Sequence, residues 1–198
     1  MQVRRQENGA IAGAKVPKTP VSTVKMPASP QDLFAFLDRL SIRHCTVTHP
    51  PLFTVADSQS LRGQIAGGHT KNLFLKDRPG SLYLIVADED AAIDLKSIHH
   101  RIGAKRVSLG SADLLMQHLG VLPGSVTPFA AINDTAATVS VVLDAAMMAH
   151  DVLNFHPLVN TMTTSIAAAD LVTFLQATGH EPRILEVSDT PSAGAWAH

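Results

Sequence analysis

Two consecutive strand patterns near the middle of the chain set the first limit on the fold. Residues 71–76 and 82–87 both read as β-strands, and the turn Asp77-Arg78-Pro79-Gly80 joins them with no helix between. A doubly wound parallel sheet requires a helix after nearly every strand. This pair of strands therefore favours a mixed sheet over a doubly wound parallel one.

Helix and strand patterns alternate irregularly along the rest of the chain. Apolar residues at helical spacing predict an amphipathic first helix after the capping pair Ser29-Pro30. Further helices are predicted at 57–65, 94–102, 111–119 and 168–178. Further strands are predicted at 43–48, 104–109, 139–143, 161–166 and 183–187. The expected fold is mixed α/β (α+β), a single domain in which helices flank a mixed β-sheet.

The length and composition suit one folded domain with two loose ends. The chain has 198 residues, of which 45% are hydrophobic, and this is enough for a sizeable core. Residues 1–28 are rich in Gly, Pro, Ala and Lys without an apolar period, so we expect a disordered basic extension. The folded domain is expected at 29–188, and a loose tail at 189–198.

The sequence carries neither a membrane span nor an export signal, and we expect a cytoplasmic protein. No apolar run approaches the roughly 20 residues that a spanning helix needs, and the N-terminus lacks the hydrophobic core of a signal peptide. The one cysteine, Cys45, excludes an internal disulfide and fits a reducing compartment. Its strand-like context favours a small buried side chain over a nucleophile.

The net charge of −1 hides an asymmetry between the N-terminus and the rest of the chain. Residues 1–27 hold five lysines and arginines against one glutamate, whereas the remainder holds 11 basic and 16 acidic side chains. Non-specific nucleic-acid affinity comes mostly from neutralised phosphates, so a body this acidic is not expected to bind DNA generally. The basic segment is either a disordered leader or a weak electrostatic contact for RNA.

Three common catalytic patterns are absent or incomplete. His99 and His100 are adjacent and cannot face one metal from a helix, and no His-Glu-x-x-His pattern occurs, so we expect no metal. Residues 63–71 resemble a phosphate-binding loop, but His69 stands where that loop needs lysine, and a helix precedes the glycines. The Gly-x-Ser-x-Gly elbow of serine hydrolases is missing. We therefore expect no cofactor and no nucleotide hydrolysis.

Three weaker features remain as candidates for chemistry, each with a structural alternative. Lys71 opens a strand, where it either places a charge in a cleft or is simply solvated. His156, between an aromatic ring and a proline, is either a positioned donor or a core-edge histidine bonded to a backbone carbonyl. The loop 120–128 either offers backbone N–H groups to an oxyanion or only connects two elements.

The order of these features resembles the YbaK/prolyl-tRNA-synthetase-associated editing family. The similarity runs from about Ser29 to Val187 and is greatest to the free-standing ProXp-ala branch. It is carried by an early Asp-Leu-Phe-x-x-Leu helix, Thr70-Lys71-Asn72 opening a strand, the Gly124-x-x-x-Pro128 loop, Val141-Val142-Leu143-Asp144, and Asn154-Phe155-His156-Pro157 followed by Asn160.

The resemblance implies a mixed α/β editing domain without a metal, and it assigns site residues by position. The catalytic positions are expected to be Lys71, Gly124 and Ser125. The substrate-binding positions are expected to be Asn72, Val126, Pro128, His156 and Asn160. Lys71 would hold the terminal phosphate or ribose hydroxyls as a cation, while N–H groups of the loop stabilise an oxyanion.

The implied activity is that of a trans-editing aminoacyl-tRNA deacylase, a hydrolase that cleaves the ester of mischarged Ala-tRNA(Pro). The implied partners are the acceptor end of mischarged tRNA and, as a candidate, prolyl-tRNA synthetase. Cysteine-specific relatives share the lysine and the glycine loop, so deacylation of another tRNA such as Cys-tRNA(Pro) stays open. A non-catalytic tRNA-end binding module and a small-molecule-binding domain of the same fold stay open as well.

Overall fold

The computed structural model describes residues 26–51 and 65–189 of the chain. The helices in these ranges are α1 (Pro30–Arg39), α2 (Ile98–Ile102), α3 (Ala112–Leu119) and α4 (Ala168–Ala177), with 3-10 helices at Pro128–Ile132 and Met147–Ala149. The strands are β1 (His44–Thr48), β2 (Gly68–Asp77), β3 (Leu82–Asp88), β4 (Val107–Leu109), β5 (Val139–Asp144), β6 (Val152–Phe155), β7 (Met162–Ala167) and β8 (Arg183–Leu185).

These eight strands form one mixed sheet. The strand order is β1-β7-β6-β2-β3-β5-β8, and β4 pairs with the C-terminal end of β2. The pairs β2–β6, β3–β5 and β5–β8 are parallel, and the other pairs are antiparallel. The prediction of a mixed sheet flanked by helices is confirmed.

Strand β2 joins the two halves of the sheet. Its first two residues pair in parallel with β6, and residues 70–76 pair with antiparallel β3. Glycines allow this close approach, because a Cβ on Gly67 would lie 2.8 Å from the Val152 carbonyl oxygen and one on Gly68 would lie 2.7 Å from His150 Cδ2. The glycine pair that resembled part of a phosphate-binding loop therefore serves strand packing.

Side chains of the strands alternate between two apolar clusters, one on each face of the sheet. Phe74 belongs to the larger cluster, which α1, α3, α4 and the 3-10 helix Pro128–Ile132 cover. The next residue, Leu75, belongs to the smaller cluster, which Ile98 and Ile102 of α2 complete. Each face of the sheet is thus buried by helices of its own.

Helix α1 begins where the sequence predicts it. The Ser29 hydroxyl accepts the Asp32 backbone N–H at 3.2 Å, and the Asp32 carboxylate accepts the Ser29 backbone N–H at 2.9 Å. This reciprocal pair is a capping box, which satisfies two donors that a helix start leaves open. None of the helices in the described ranges is long and apolar enough to cross a membrane.

Two local predictions were wrong. The helix expected at 94–102 starts only at Ile98, because the Asp94 carboxylate accepts the Lys96 N–H and the Ser97 hydroxyl and so stabilises a turn. Cys45 is exposed, not buried, since it lies on β1 at the edge of the sheet.

Other predicted boundaries shift or fall outside the structure. The strand expected at 104–109 is limited to its last three residues, and β6 was not predicted as a strand. The predicted helix at 57–65 lies outside the described residues apart from Ile65. The N-terminal extension up to residue 25 and the tail from residue 190 also lie outside them.

A phenylalanine cluster connects three helices of the larger core. The fully buried Phe174 of α4 meets Phe36 of α1 and Phe129 edge-on, with ring centroids 5.6 and 5.3 Å apart. We predict that Phe174→Ala lowers the free energy of unfolding by about 3–5 kcal/mol, because it removes these contacts and leaves a cavity. Urea denaturation measures the change. Leu122→Ala, at a side chain 64% exposed, is the control and should change it by less than about 0.5 kcal/mol; equal effects would contradict the described core.

Candidate active site

Lys71 and Asn72 are neighbours in β2, so their side chains leave opposite faces of the sheet. Lys71 shares a face with Leu75 of the smaller cluster, and Asn72 shares a face with Phe74 of the larger one. The half-buried Lys71 ammonium donates a hydrogen bond to the carbonyl oxygen of Ala91, just after β3. An ammonium carries three N–H donors, so this bond uses one of them.

The Asn72 side chain contains a buried polar atom that has no partner among the described residues. Its Oδ1 is buried and has no hydrogen-bond partner within the ranges 26–51 and 65–189. An acceptor left in this state costs about 1–3 kcal/mol relative to a bonded one. A donor supplied by a bound molecule would remove that cost, which is the behaviour expected of a binding position.

Gly124 begins the glycine loop in a conformation that favours glycine. Its φ is +87°, in the left-handed region. The next residue, Ser125, is buried, and its backbone N–H donates to the Leu122 carbonyl oxygen at 3.0 Å. The Ser125 N–H is therefore already engaged in closing the turn.

The second half of the loop is fixed to the larger core. The Thr127 hydroxyl accepts the Phe129 backbone N–H at 3.3 Å and so caps the 3-10 helix that starts at the buried Pro128. Val126 is partly buried and packs against the same cluster. The loop has little freedom to move relative to the sheet, because its C-terminal half is part of the core.

Gly124 also approaches the segment that follows His156. A Cβ built on Gly124 would lie 3.9 Å from the Asn160 amide nitrogen, Nδ2. This is ordinary van der Waals contact. The structure thus brings together two of the predicted site residues that come from separate loops.

His156 follows β6 and is held by a backbone carbonyl. Its Nδ1 lies 3.0 Å from the Met162 carbonyl oxygen. A carbonyl oxygen can only accept, so Nδ1 carries the proton and Nε2 of the neutral ring carries the lone pair. Burial lowers the pKa of His156 below its ordinary value of 6.5, and nearby His49 lowers it further, while the bond to Met162 raises it. His156 is therefore a neutral, oriented acceptor near neutral pH.

Comparison with known sequences identifies the family. Residues 49–174, more than half of the chain, match the profile of the aminoacyl-tRNA editing domain. The chain belongs to this family.

Relatives of this editing domain are closely similar over most of their length. "Prolyl-tRNA synthetase associated domain-containing protein 1" of Danio rerio is 37% identical over 157 residues, which cover 78% of this chain and 85% of that protein. "Prolyl-tRNA editing protein ProX" of Acetoanaerobium sticklandii is 34% identical over 158 residues, which cover 79% of this chain and 96% of that protein. The chain is accordingly an enzyme, a hydrolase of the aminoacyl-tRNA deacylase class.

A solved structure shares the fold of the editing domain. It is provisionally described as a trans-editing enzyme for prolyl tRNA synthetase, and it superposes with a TM-score of 0.60 at 15% identity. The aligned region covers 79% of this chain and 95% of that one. The resemblance that the sequence motifs carried is confirmed.

His49 lies beside His156 and was not among the predicted site residues of the editing domain. The two ring centroids are 6.3 Å apart. A sequence signal for it was present, because His49-Pro50 follows a strand in the same way as His156-Pro157 does. The two His-Pro pairs at strand ends are therefore the sequence feature that connects His49 with His156.

A cavity of about 320 Å³ lies at the carboxyl end of β3, and none of the predicted site residues lines it. Its lining residues are Gly67, Gly68, His69, Asp88, Glu89, Asp90, Ala91, Ala146, His150 and Ser188. Burial raises the pKa of Asp88, and His150, whose Nε2 lies 3.0 Å from its carboxylate, lowers it in part. In the described ranges, no three His, Cys, Asp or Glu side chains gather closely enough to hold a metal ion.

The lowered pKa of His156 predicts a pH-dependent contribution to stability. The unfolded chain takes up this proton below about pH 6.5, while the folded chain resists it, so the free energy of unfolding falls as pH drops through this range. His156→Gln lacks this titratable group, so its free energy of unfolding does not include this loss. The difference in free energy of unfolding between wild type and variant should therefore shrink as the pH falls from about 7.5 to 5. Urea denaturation at several pH values measures it. His100→Gln, at an exposed position, is the control, and a pH-independent difference for His156→Gln would contradict the prediction.

Proposed function

We propose that this enzyme hydrolyses the ester of alanine mischarged onto proline tRNA, Ala-tRNA(Pro), and acts in trans in the cytoplasm. The observation that supports this substrate is the similarity to the prolyl-tRNA editing protein ProX, of which the chain covers 96%. The deacylase domain would occupy residues 29–188. Its partners would be the acceptor end of the mischarged tRNA and prolyl-tRNA synthetase, which supplies it.

Alanine is the physically reasonable error for a proline pocket. It is smaller than proline, and a missing methylene in an apolar pocket changes binding by only about 1–3 kcal/mol. A synthetase therefore charges some tRNA(Pro) with alanine. A second, hydrolytic site that accepts alanine and is too small for proline removes this error without attacking the correct product.

The proposed role of Lys71 is to anchor the terminal adenosine as a cation. Its ammonium is held by one neutral carbonyl, that of Ala91, so its charge is not neutralised by this contact. The remaining N–H donors can hold a phosphate oxygen or a ribose hydroxyl. The ammonium would position the substrate and stabilise negative charge, and it would not act as a nucleophile.

The glycine loop is proposed to stabilise the tetrahedral oxyanion through backbone N–H groups. The Ser125 N–H already donates to Leu122, so the N–H groups of Gly124 and Val126 would take this role. The left-handed φ of Gly124 turns its peptide plane in a way that other residues resist. The attacking water would be assisted by the neighbouring ribose hydroxyl of the substrate.

The remaining predicted residues are proposed to line the aminoacyl pocket. The Asn160 amide nitrogen lies 3.9 Å from the position that a Cβ on Gly124 would take, and His156 comes from the same loop as Asn160. The buried Asn72 Oδ1 has no hydrogen-bond partner in the part of the chain that the structure describes, and it would accept a donor of the substrate. Pro128 supports the loop from the core.

Removing the Lys71 ammonium tests its role. We predict that Lys71→Ala lowers kcat/KM for Ala-tRNA(Pro) about 100-fold or more, the effect of losing one electrostatic contact to the transition state. Release of labelled alanine from charged tRNA measures the rate. The control is Lys76→Ala, at an exposed lysine of the same strand, which should retain wild-type activity. Equal loss in both variants would indicate general tRNA attraction instead of a site.

Gly124 can be tested with a control that has the same backbone strain. Gly124 and Gly179 both have φ +87°, and a Cβ on Gly179 would meet nothing within 4 Å. Alanine at either position should cost stability of order 1 kcal/mol, because its Cβ resists this φ. Only Gly124→Ala should also lower kcat, since it disturbs the N–H groups of the loop. If deacylation falls equally in Gly179→Ala, the loop has no special role.

A panel of charged tRNAs separates the proposed substrate from its rivals. Wild type should deacylate Ala-tRNA(Pro) faster than Cys-tRNA(Pro) and leave Pro-tRNA(Pro) intact. Release of cysteine but not alanine would assign the enzyme to the cysteine-specific activity. Binding of charged tRNA without hydrolysis of any of the three esters would instead indicate a non-catalytic module.

A further inference from the structure

His49, directly after β1, is a buried polar side chain whose two ring nitrogens are both bonded. It is 8% exposed. Its Nδ1 lies 2.8 Å from the Pro50 carbonyl oxygen, which can only accept, so Nδ1 carries the proton. Its Nε2 lies 2.9 Å from Thr163 Oγ1 and, in the neutral ring, accepts the threonine hydroxyl. In the neutral ring, these two bonds select the tautomer with the proton on Nδ1.

His49 forms hydrogen bonds to the residues on either side of Met162, and Met162 is the residue that holds His156. The His49 backbone N–H donates to the Thr161 carbonyl oxygen at 2.9 Å, and the ring accepts the hydroxyl of Thr163. Met162 lies between these two partners. Its own carbonyl oxygen accepts the Nδ1–H of His156 at 3.0 Å. The start of β7 is thus fixed on both sides of the carbonyl that orients the His156 ring.

The two histidines act on each other without a direct hydrogen bond between their rings. Their centroids are 6.3 Å apart and their planes are inclined by 51°. A proton on either ring would place positive charge beside the other, and in this half-buried region water screens it less than at the surface. Among the described residues, His49 is the titratable group that lowers the pKa of His156.

We propose that His49 is a positioning residue for deacylation: through Thr161 and Thr163 it fixes the Met162 carbonyl, and this carbonyl holds His156 in the tautomer that offers the Nε2 lone pair to the bound aminoacyl end. This inference rests on the proposed function of the site. His49 itself does not touch the substrate. Its effect is to keep an acceptor, and not a donor, at the His156 position.

Substitutions at both ends of the His49–Thr163 bond test the proposal. His49→Leu removes both ring bonds, and Thr163→Val removes the hydroxyl while keeping the shape of the side chain. His49→Gln is the conservative variant, because its side-chain oxygen can still accept the Thr163 hydroxyl. The matched control is Thr46→Val, which removes a 2.8 Å hydroxyl–hydroxyl bond to Thr164 on the opposite face of the same strand pair.

Two readouts distinguish positioning from a purely structural role. Nitrogen-15 NMR of the histidine rings in the free protein should give the Nδ1–H tautomer for His156 in wild type and in Thr46→Val. His49→Leu and Thr163→Val should give a mixture of tautomers. In deacylation of Ala-tRNA(Pro), kcat should fall about 10- to 100-fold in these two variants with little change in KM, because a misplaced group loses transition-state contacts. His49→Gln should recover most of the kcat.

The outcomes separate the inference from the proposed function. An Nε2–H tautomer of His156 in wild type overturns the inference, and this measurement needs no variant and no activity. An unchanged tautomer and kcat in folded His49→Leu and Thr163→Val also overturn it. By contrast, a wild-type protein with the expected tautomer but without hydrolysis of any mischarged tRNA refutes the proposed function.

Discussion

The close approach of β2 to β6 is the contact on which the rest of the structure depends. Gly67 and Gly68 allow it, because a Cβ at either position would meet the backbone or ring of the facing segment at under 3 Å. After His69 the strand leaves β6 and continues along β3. Lys71 follows two residues later, held by its pairing with Ala87. The position of the candidate lysine is therefore a consequence of strand packing, and its side chain is directed to one face by strand alternation.

The residues assigned to the candidate site include a cation and a histidine kept neutral. Among the described residues, the Lys71 ammonium donates to a neutral carbonyl, that of Ala91. Burial and the neighbouring His49 lower the pKa of His156. Charge and hydrogen-bond acceptance would thus be provided by different side chains, Lys71 on β2 and His156 in the loop after β6. This division suits an ester substrate, because the developing oxyanion needs positive charge and donors, whereas donor groups of the aminoacyl end need an acceptor.

The sequence predicted the mixed sheet, α1 with its capping serine, and the family, because each of these predictions depends on patterns of neighbouring residues. It could not predict β6, a strand of four residues that pairs with β2 and β7 from distant parts of the chain. It misjudged Cys45, since strand alternation does not reveal which strand lies at the edge. It also missed His49, because the bonds that connect His49 to His156 pass through Thr161 and Thr163. Order along the chain identified the family and assigned the candidate site residues, but contacts between distant segments determine the tautomer of His156.

Selectivity at such a site has to come from exclusion. In the proposed roles, an ammonium, backbone N–H groups and a neutral imidazole would contact parts that every aminoacyl adenosine shares, so they would not distinguish alanine from proline. For the proposed substrate, discrimination requires a pocket that is rigid enough to exclude the larger proline side chain. A pocket wall that could adapt would lose the selectivity of roughly 1–3 kcal/mol that each methylene provides. Two sets of contacts make these segments rigid. The loop after Gly124 is anchored in the core at Pro128, and His49 forms hydrogen bonds that fix the start of β7. The stiffness of these two loops is therefore as much a part of the proposed specificity as the residues that face the substrate.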